Sequence, residues 1–428
     1  MNPLKALCVV AFFAAAVCAA PSHQQYSSNL KPSQWLSKSQ LERTPSLSEI
    51  DVQRLESMPL EEGAKVLETI YHVAQINNEL EQNYAPHPSS IPVYIVMSNG
   101  QKVSTTLDKM AETANQDPEF GNEEVTIFIT GLPSTTETVE KANRKLVEAY
   151  VERYSGQRQK PINVKFARNS NKNQYDDDNN DDDDEQDYDW SSSKRNSGNL
   201  VVIALGEKLP ELKHQALLDV EKVGEMIAIQ IVKLDVPNDI VHIIGQNVAA
   251  HVAGAAGQEY KSLTGNKLAR ITALDPSKLY AKDPETLTGL SRGDAKFVDA
   301  IHTSALGMGT LTRVGNVDIF PNGPCAGVPG TDNVVAASMR ATQYFAESVV
   351  PGNERNFPAV EANSLESYKQ NNGYGKRVYM GIDLATDLEG DYILEVNAHS
   401  PFGKRASAKK QNSHYAAHKS WKNTENFA

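Results

Sequence analysis

The chain has 428 residues, enough for one large α/β domain or two ordinary ones, and 40% of them are hydrophobic, which excludes a chain disordered throughout. Its formal net charge of −12 argues against nucleic acid or an anionic membrane surface as a partner. The same balance suits a protein held in solution at high concentration. From the N-terminus, residues 1–19 read as a signal peptide. Lys5 supplies positive charge, 6–17 form an apolar stretch, and Val17-Cys18-Ala19 fits a small-residue cleavage site. The run is too short to cross a bilayer of about 30 Å, and no later segment reads as a membrane span. Residues 20–90 form an extension ahead of the core. Ser46-Leu-Ser-Glu49 carries a cap serine with glutamate three residues on, which predicts a helix start. Leu60, Val66, Leu67, Ile70, Val73 and Ile76 recur at near-helical spacing, predicting one or two helices packed on the core. The polar face is acidic, which argues against a membrane-surface helix. The core, 91–403, alternates strands at 93–96, 125–130, 200–205 and 240–244 with helices at 138–154 and 216–234. The strands at 200–205 and 240–244 are continuously apolar, as buried parallel strands are. Such alternation predicts a doubly wound, mostly parallel sheet with helices on both faces. An acidic insert, 175–189, interrupts it. The tail 404–428, with scattered Lys, Arg, Ser and Asn, reads as flexible.

The chemistry concentrates at 241–249, Val-His-Ile-Ile-Gly-Gln-Asn-Val-Ala. A nucleophile elbow is Gly-x-Ser-x-Gly on a sharp turn between strand and helix. Here the flanks stay small and the apex is Asn247. Asparagine tolerates positive φ, so it can hold a strained turn. Its amide cannot act as an acyl-forming nucleophile at neutral pH.

Further segments follow in order: Glu124-Val-Thr-Ile-Phe-Ile-Thr-Gly-Leu-Pro133, Asn199-Leu-Val-Val-Ile-Ala204, Ile271-Thr-Ala-Leu-Asp-Pro276, Val298-Asp-Ala-Ile-His-Thr303, Asp318-Ile-Phe-Pro-Asn-Gly323, Gly390-Asp-Tyr-Ile-Leu-Glu-Val-Asn397 and Pro401-Phe-Gly403. With the elbow, they resemble the pancreatic-type secreted lipase family, and within it the lipase-like yolk proteins (vitellogenins) of higher flies. The resemblance implies an α/β-hydrolase fold behind an N-terminal helical extension. It places the triad acid at Asp275, the nucleophile position at Asn247, and the base at Ser338 in Ala336-Ala-Ser-Met-Arg-Ala341. The oxyanion loop, usually opening His-Gly, reads Thr130-Gly131. A hydroxyl cannot shuttle protons as imidazole does. These three positions therefore read as a vestigial triad in a chain that is not an enzyme and needs no cofactor. His302 and His251 are the alternative bases, at positions where the family also carries histidine beside its catalytic one. The stretch 324–335, where these lipases place a lid, is short, and the match stops near Gly403, before the β-sandwich domain of some members.

The resemblance also implies a function. It is that of a secreted storage protein, carried in haemolymph, taken up by the oocyte through an endocytic receptor and kept in yolk granules as embryonic food. The alternative is a carrier of a lipid or steroid conjugate in the old substrate groove. In the insert, ten of the fourteen residues 176–189 are Asp or Glu, flanked or interrupted by Tyr175 and Tyr188. A solvating loop accounts for the run. An exposed acidic setting on the secretory route equally suits sulfation of Tyr175 and Tyr188, and a strip for the basic face of a receptor or of another yolk protein copy. A calcium site is not indicated, because EF-hand spacing and its glycine are missing; no metal is expected. Cleavage of the leader removes Cys8 and Cys18, so Cys325 has no intramolecular partner and reads as a buried thiol, with an intermolecular bridge as the alternative. No Asn-x-Ser/Thr sequon occurs.

Overall fold

The computed structural model describes residues 44–77, 79–97, 100–154, 197–278, 289–324, 327–370 and 377–405. The leader 1–19, the acidic insert with Tyr175 and Tyr188, Cys325 and the tail after 405 lie outside the described residues. The extension begins with a 3-10 turn, Leu47–Glu49, then α1, Val52–Glu56, and α2, Leu60–Ile76. Ser46 N–H donates to Glu49 Oε2 at 2.6 Å, as its spacing predicts. Only one turn follows, however. The first α-helix is capped by Asp51, whose Oδ1 accepts from Arg54 N–H at 2.7 Å.

The core elements are β1 (Pro92–Val96), β2 (Lys102–Thr106), α3 (Met110–Ala114), β3 (Glu124–Ile129), α4 (Glu137–Tyr154), β4 (Gly198–Ile203), α5 (Leu212–Ala216), α6 (Val220–Leu234), β5 (Val241–Gln246), α7 (Ala249–Thr264), β6 (Arg270–Leu274), β7 (Phe297–Ile301), β8 (Val317–Pro321), α8 (Val334–Val349), β9 (Pro358–Glu361), α9 (Leu365–Gln370), β10 (Arg377–Tyr379) and β11 (Gly390–Leu394). Among the described residues the strands form one sheet in the order β10-β9-β11-β8-β7-β6-β5-β3-β4-β1-β2. From β11 to β4 every neighbouring pair is parallel. The outer strands β1, β2, β9 and β10 join antiparallel. The expected doubly wound, mostly parallel sheet is present, with antiparallel edges the sequence pattern did not announce.

Alternation across the pleat divides the core. Ile127, Ile243 and Ile271 face one way, onto α6 and α7. Phe128, Ile244 and Leu274 face the other, onto α4 and α8. The helix expected at 216–234 is two helices. Tyr84 N–H donates to Leu217 O at 2.9 Å and Asp219 N–H to Tyr84 O at 2.9 Å, so Leu217 O and Asp219 N–H are spent on Tyr84 and the helix breaks between them. Asp219 then caps α6 by accepting from Lys222 N–H at 2.9 Å.

Candidate active site

The parallel strands bring the predicted residues to one end of the sheet, the edge where open α/β sheets bind ligands. β5 runs into α7 through Asn247, which sits at φ 52°. Asn247 N–H donates to Leu274 O at 3.0 Å, and Asn247 O accepts from Ala250 N–H at 3.1 Å. The turn needs a bare residue at 245, because a Cβ there would lie 2.5 Å from Ala250 Cα. Asp275 follows β6, also at positive φ, 52°. Ser338 lies in the second turn of α8, whose cap Asn333 accepts from Ala336 N–H at 2.7 Å.

Asn247, Asp275 and Ser338 form one buried cluster, none more than 1% exposed. Asn247 Nδ2 donates to Ser338 Oγ at 3.3 Å. Ser338 is close enough to the Asp275 carboxylate to pull its pKa down. That carboxylate further accepts from Thr303 N–H (2.9 Å), Ser304 N–H (2.8 Å) and the Ser304 hydroxyl. Burial pushes its pKa above the usual carboxylate range, against the pull of these donors. The order amide, hydroxyl, carboxylate follows that of nucleophile, base and acid. It contains no imidazole and no hydroxyl at the elbow.

Gln246, which sequence reasoning passed over, locks the neighbouring loop. Its Oε1 accepts from Gly131 N–H at 3.3 Å, and its Nε2 donates to Asn143 Oδ1 (2.8 Å) and Thr342 Oγ1 (3.0 Å). A Cβ on Gly131 would collide with Gln246 O. The available signal was a second polar residue, after His242, in a strand that is otherwise apolar; such a residue must find partners if buried.

The two alternative bases are held elsewhere. His302 places Nδ1 2.8 Å from Thr310 O and Nε2 2.8 Å from Asp318 Oδ1, and stacks on Phe320. His251 Nδ1 accepts from Leu290 N–H at 3.1 Å, so Nε2 carries the proton toward Ser277 O at 2.9 Å. Burial pulls the His251 pKa down to about 4. Neither ring keeps a nitrogen for residue 247.

The space over Asn247 holds only about 30 Å³, room for a water or two. Asn247, Val248, Gln215 and Lys278 line it from the core, Leu67 and Tyr71 from α2. Burial lowers the Lys278 pKa, opposed by Glu68 of α2 and by Asp275. Among the described residues no cluster of three or more His, Cys, Asp or Glu is placed to hold a metal ion. No described helix is long and apolar enough to cross a membrane.

Comparison with known proteins agrees with this architecture. The family model described as Lipase matches residues 94–402. Vitellogenin-1 of Ceratitis capitata is 52% identical, covering 100% of this chain and 99% of that protein. Vitellogenin-3 of Drosophila melanogaster is 50% identical, covering 94% of this chain and 96% of that protein. Pancreatic lipase-related protein 2 of Cavia porcellus is 34% identical over 36% of this chain and 37% of its own. The chain therefore belongs to the lipase family and, within it, to the vitellogenins, the yolk proteins of higher Diptera.

Proposed function

We propose that this chain is a yolk storage protein without lipase activity. It is secreted into haemolymph, taken up by oocytes through an endocytic receptor, held in yolk granules and digested as embryonic food. The observation that carries the reading is identity of about half to named vitellogenins along essentially the whole chain. The site supports it. Asn247 is neither activated nor exposed, Ser338 stands where a base is needed, and Asp275 is saturated by donors that are not imidazole. Storage demands solubility, uptake and amino-acid content, and none of these requires the triad.

Quantitative mass spectrometry tests the storage role. The protein is expected in female haemolymph and oocyte yolk granules, with a fall through embryogenesis; its absence from eggs would overturn the reading. The purified protein is expected to hydrolyse a short-chain nitrophenyl ester no faster than an albumin control, because losing triad members costs orders of magnitude in rate. Turnover above that control, blocked by a serine-directed phosphonate, counts against it.

Carriage of a lipid or steroid conjugate over Asn247 finds about 30 Å³ there, against the roughly 300–1,000 Å³ of ligand pockets. Carriage at this place requires the groove to open.

A further inference from the structure

The extension is fastened across the site end of the sheet. Leu60 N–H donates to Asp332 O at 2.7 Å, just before α8, and Leu212 N–H donates to Ile50 O at 2.9 Å at the start of α5. Gln53 Nε2 donates to Thr135 O at 3.0 Å. The buried side chains Leu67, Ile70 and Ala74 share one apolar cluster with Leu132, Met308 and Met339. Leu132 follows Gly131 in the loop locked by Gln246, and Met339 adjoins Ser338. Leu67 and Tyr71, one helical turn apart on α2, are 2% and 8% exposed and reach the small cavity over Asn247. Lys278, which also lines the cavity, interacts electrostatically with Glu68 of the same helix. The α2 side chains thus form part of the wall around the space over Asn247.

We propose that residues 47–76 are an internal plug: Leu67 and Tyr71 stand where the apolar body of a ligand would lie, and the extension closes the site independently of the residues at 247 and 338. The proposal rests on reading the space over Asn247 as a former substrate groove. It adds that restoring triad side chains alone leaves this groove shut. A plug of this kind has a physical signature. The site must be protected from reagents while α2 is docked and exposed when α2 is weakened, with no chemistry at the site involved.

The test is thiol accessibility at the elbow in the full chain. N247C is labelled with a bulky maleimide in native buffer, and the labelled residue is identified by peptide mass so that Cys325 does not interfere. In N247C alone, labelling is expected to be at least about 100-fold slower than in urea. Adding L67A and Y71A is expected to speed it by about tenfold or more, with the circular dichroism of a folded chain retained. Two milder variants keep the fold closer to native: N247C with L67A alone and N247C with Y71A alone are each expected to label faster than N247C, with circular dichroism unchanged. Labelling of intact N247C at the urea rate, or protection that persists undiminished in all the plug variants, overturns the plug. Either result leaves the lack of esterase activity untouched, and esterase turnover by the wild type would overturn the reading of the groove without changing the labelling rates.

Discussion

Asn247 holds the positive φ of the turn between β5 and α7 with an amide side chain at its apex. At φ 52° a β-branched residue is strained, whereas asparagine and glycine are tolerated. Asn247→Val is expected to lower stability by roughly 2 kcal/mol, and Asn247→Ser by much less, read as a shift in urea midpoint at constant m-value. Asn247→Ser alone is not expected to gain esterase activity, because Ser338 offers no base. Asp275 carries a different burden. Its carboxylate pairs two backbone N–H groups and the Ser304 hydroxyl in a fully buried place. Asp275→Ala leaves these donors unpaired and is expected to cost about 3 kcal/mol or more in the same titration; a loss under 1 kcal/mol would show that water repairs the gap. For Tyr175 and Tyr188 we propose sulfation in the secreted protein. Mass spectrometry under conditions that preserve sulfate is expected to find sulfate on one or both, and unmodified peptides spanning both would refute it.

At the scale of elements, α8 matters because it carries Ser338 into the cluster. Its start is set by Asn333, and Asn333→Ala is expected to cost about 1 kcal/mol. An unchanged urea midpoint would mean that packing of α8 against α4 alone places the helix. Elements were legible where a pattern was long and local. The strands β3, β4 and β5 announce themselves by their largely apolar runs, and α4 by its period. The short antiparallel strands β2, β9 and β10 do not, since three to five residues carry too little periodicity. The break between α5 and α6 escaped notice because its cause, the backbone pairing of Tyr84 with Leu217 and Asp219, comes from 133 residues away in one case and 135 in the other.

For the whole molecule, pH response follows from groups buried neutral. His251 falls to about 4, and His242, buried beside Arg270, falls well below its ordinary 6.5. A histidine with a depressed folded pKa contributes stability that is complete above its unfolded pKa and is lost as pH falls through the folded value. For His251 the window runs from about 6.5 down to about 4 and corresponds to roughly 3 kcal/mol. The carboxyls of Glu124, Asp275 and Glu347, all raised by burial, act in the opposite sense and regain stability as pH falls. The wild-type curve mixes the two, so the histidine contribution is read by difference. The stability gap between wild type and His251→Asn is expected to shrink by roughly 2–3 kcal/mol between pH 7 and pH 4. A gap constant with pH would mean that His251 charges without penalty. Direct NMR titration is expected to show this ring neutral at pH 5.

The local sequence by itself determined the strand-turn-helix at 241–254 and the family, and it proposed Asn247, Ser338 and Asp275 for the three triad positions. These depend on neighbours in the chain: small residues where strand meets helix, and an apex residue able to hold positive φ. Only the tertiary structure decided that Gln246 locks the Gly131 loop, that His251 and His302 are spent on Leu290, Ser277, Thr310 and Asp318, and that α2 fills the space over Asn247. The apolar spacing of α2 showed that one of its faces is buried. It carried no information about where that face docks, because burial of an apolar stripe is non-directional and its partner is chosen by the shape of a surface assembled from distant segments.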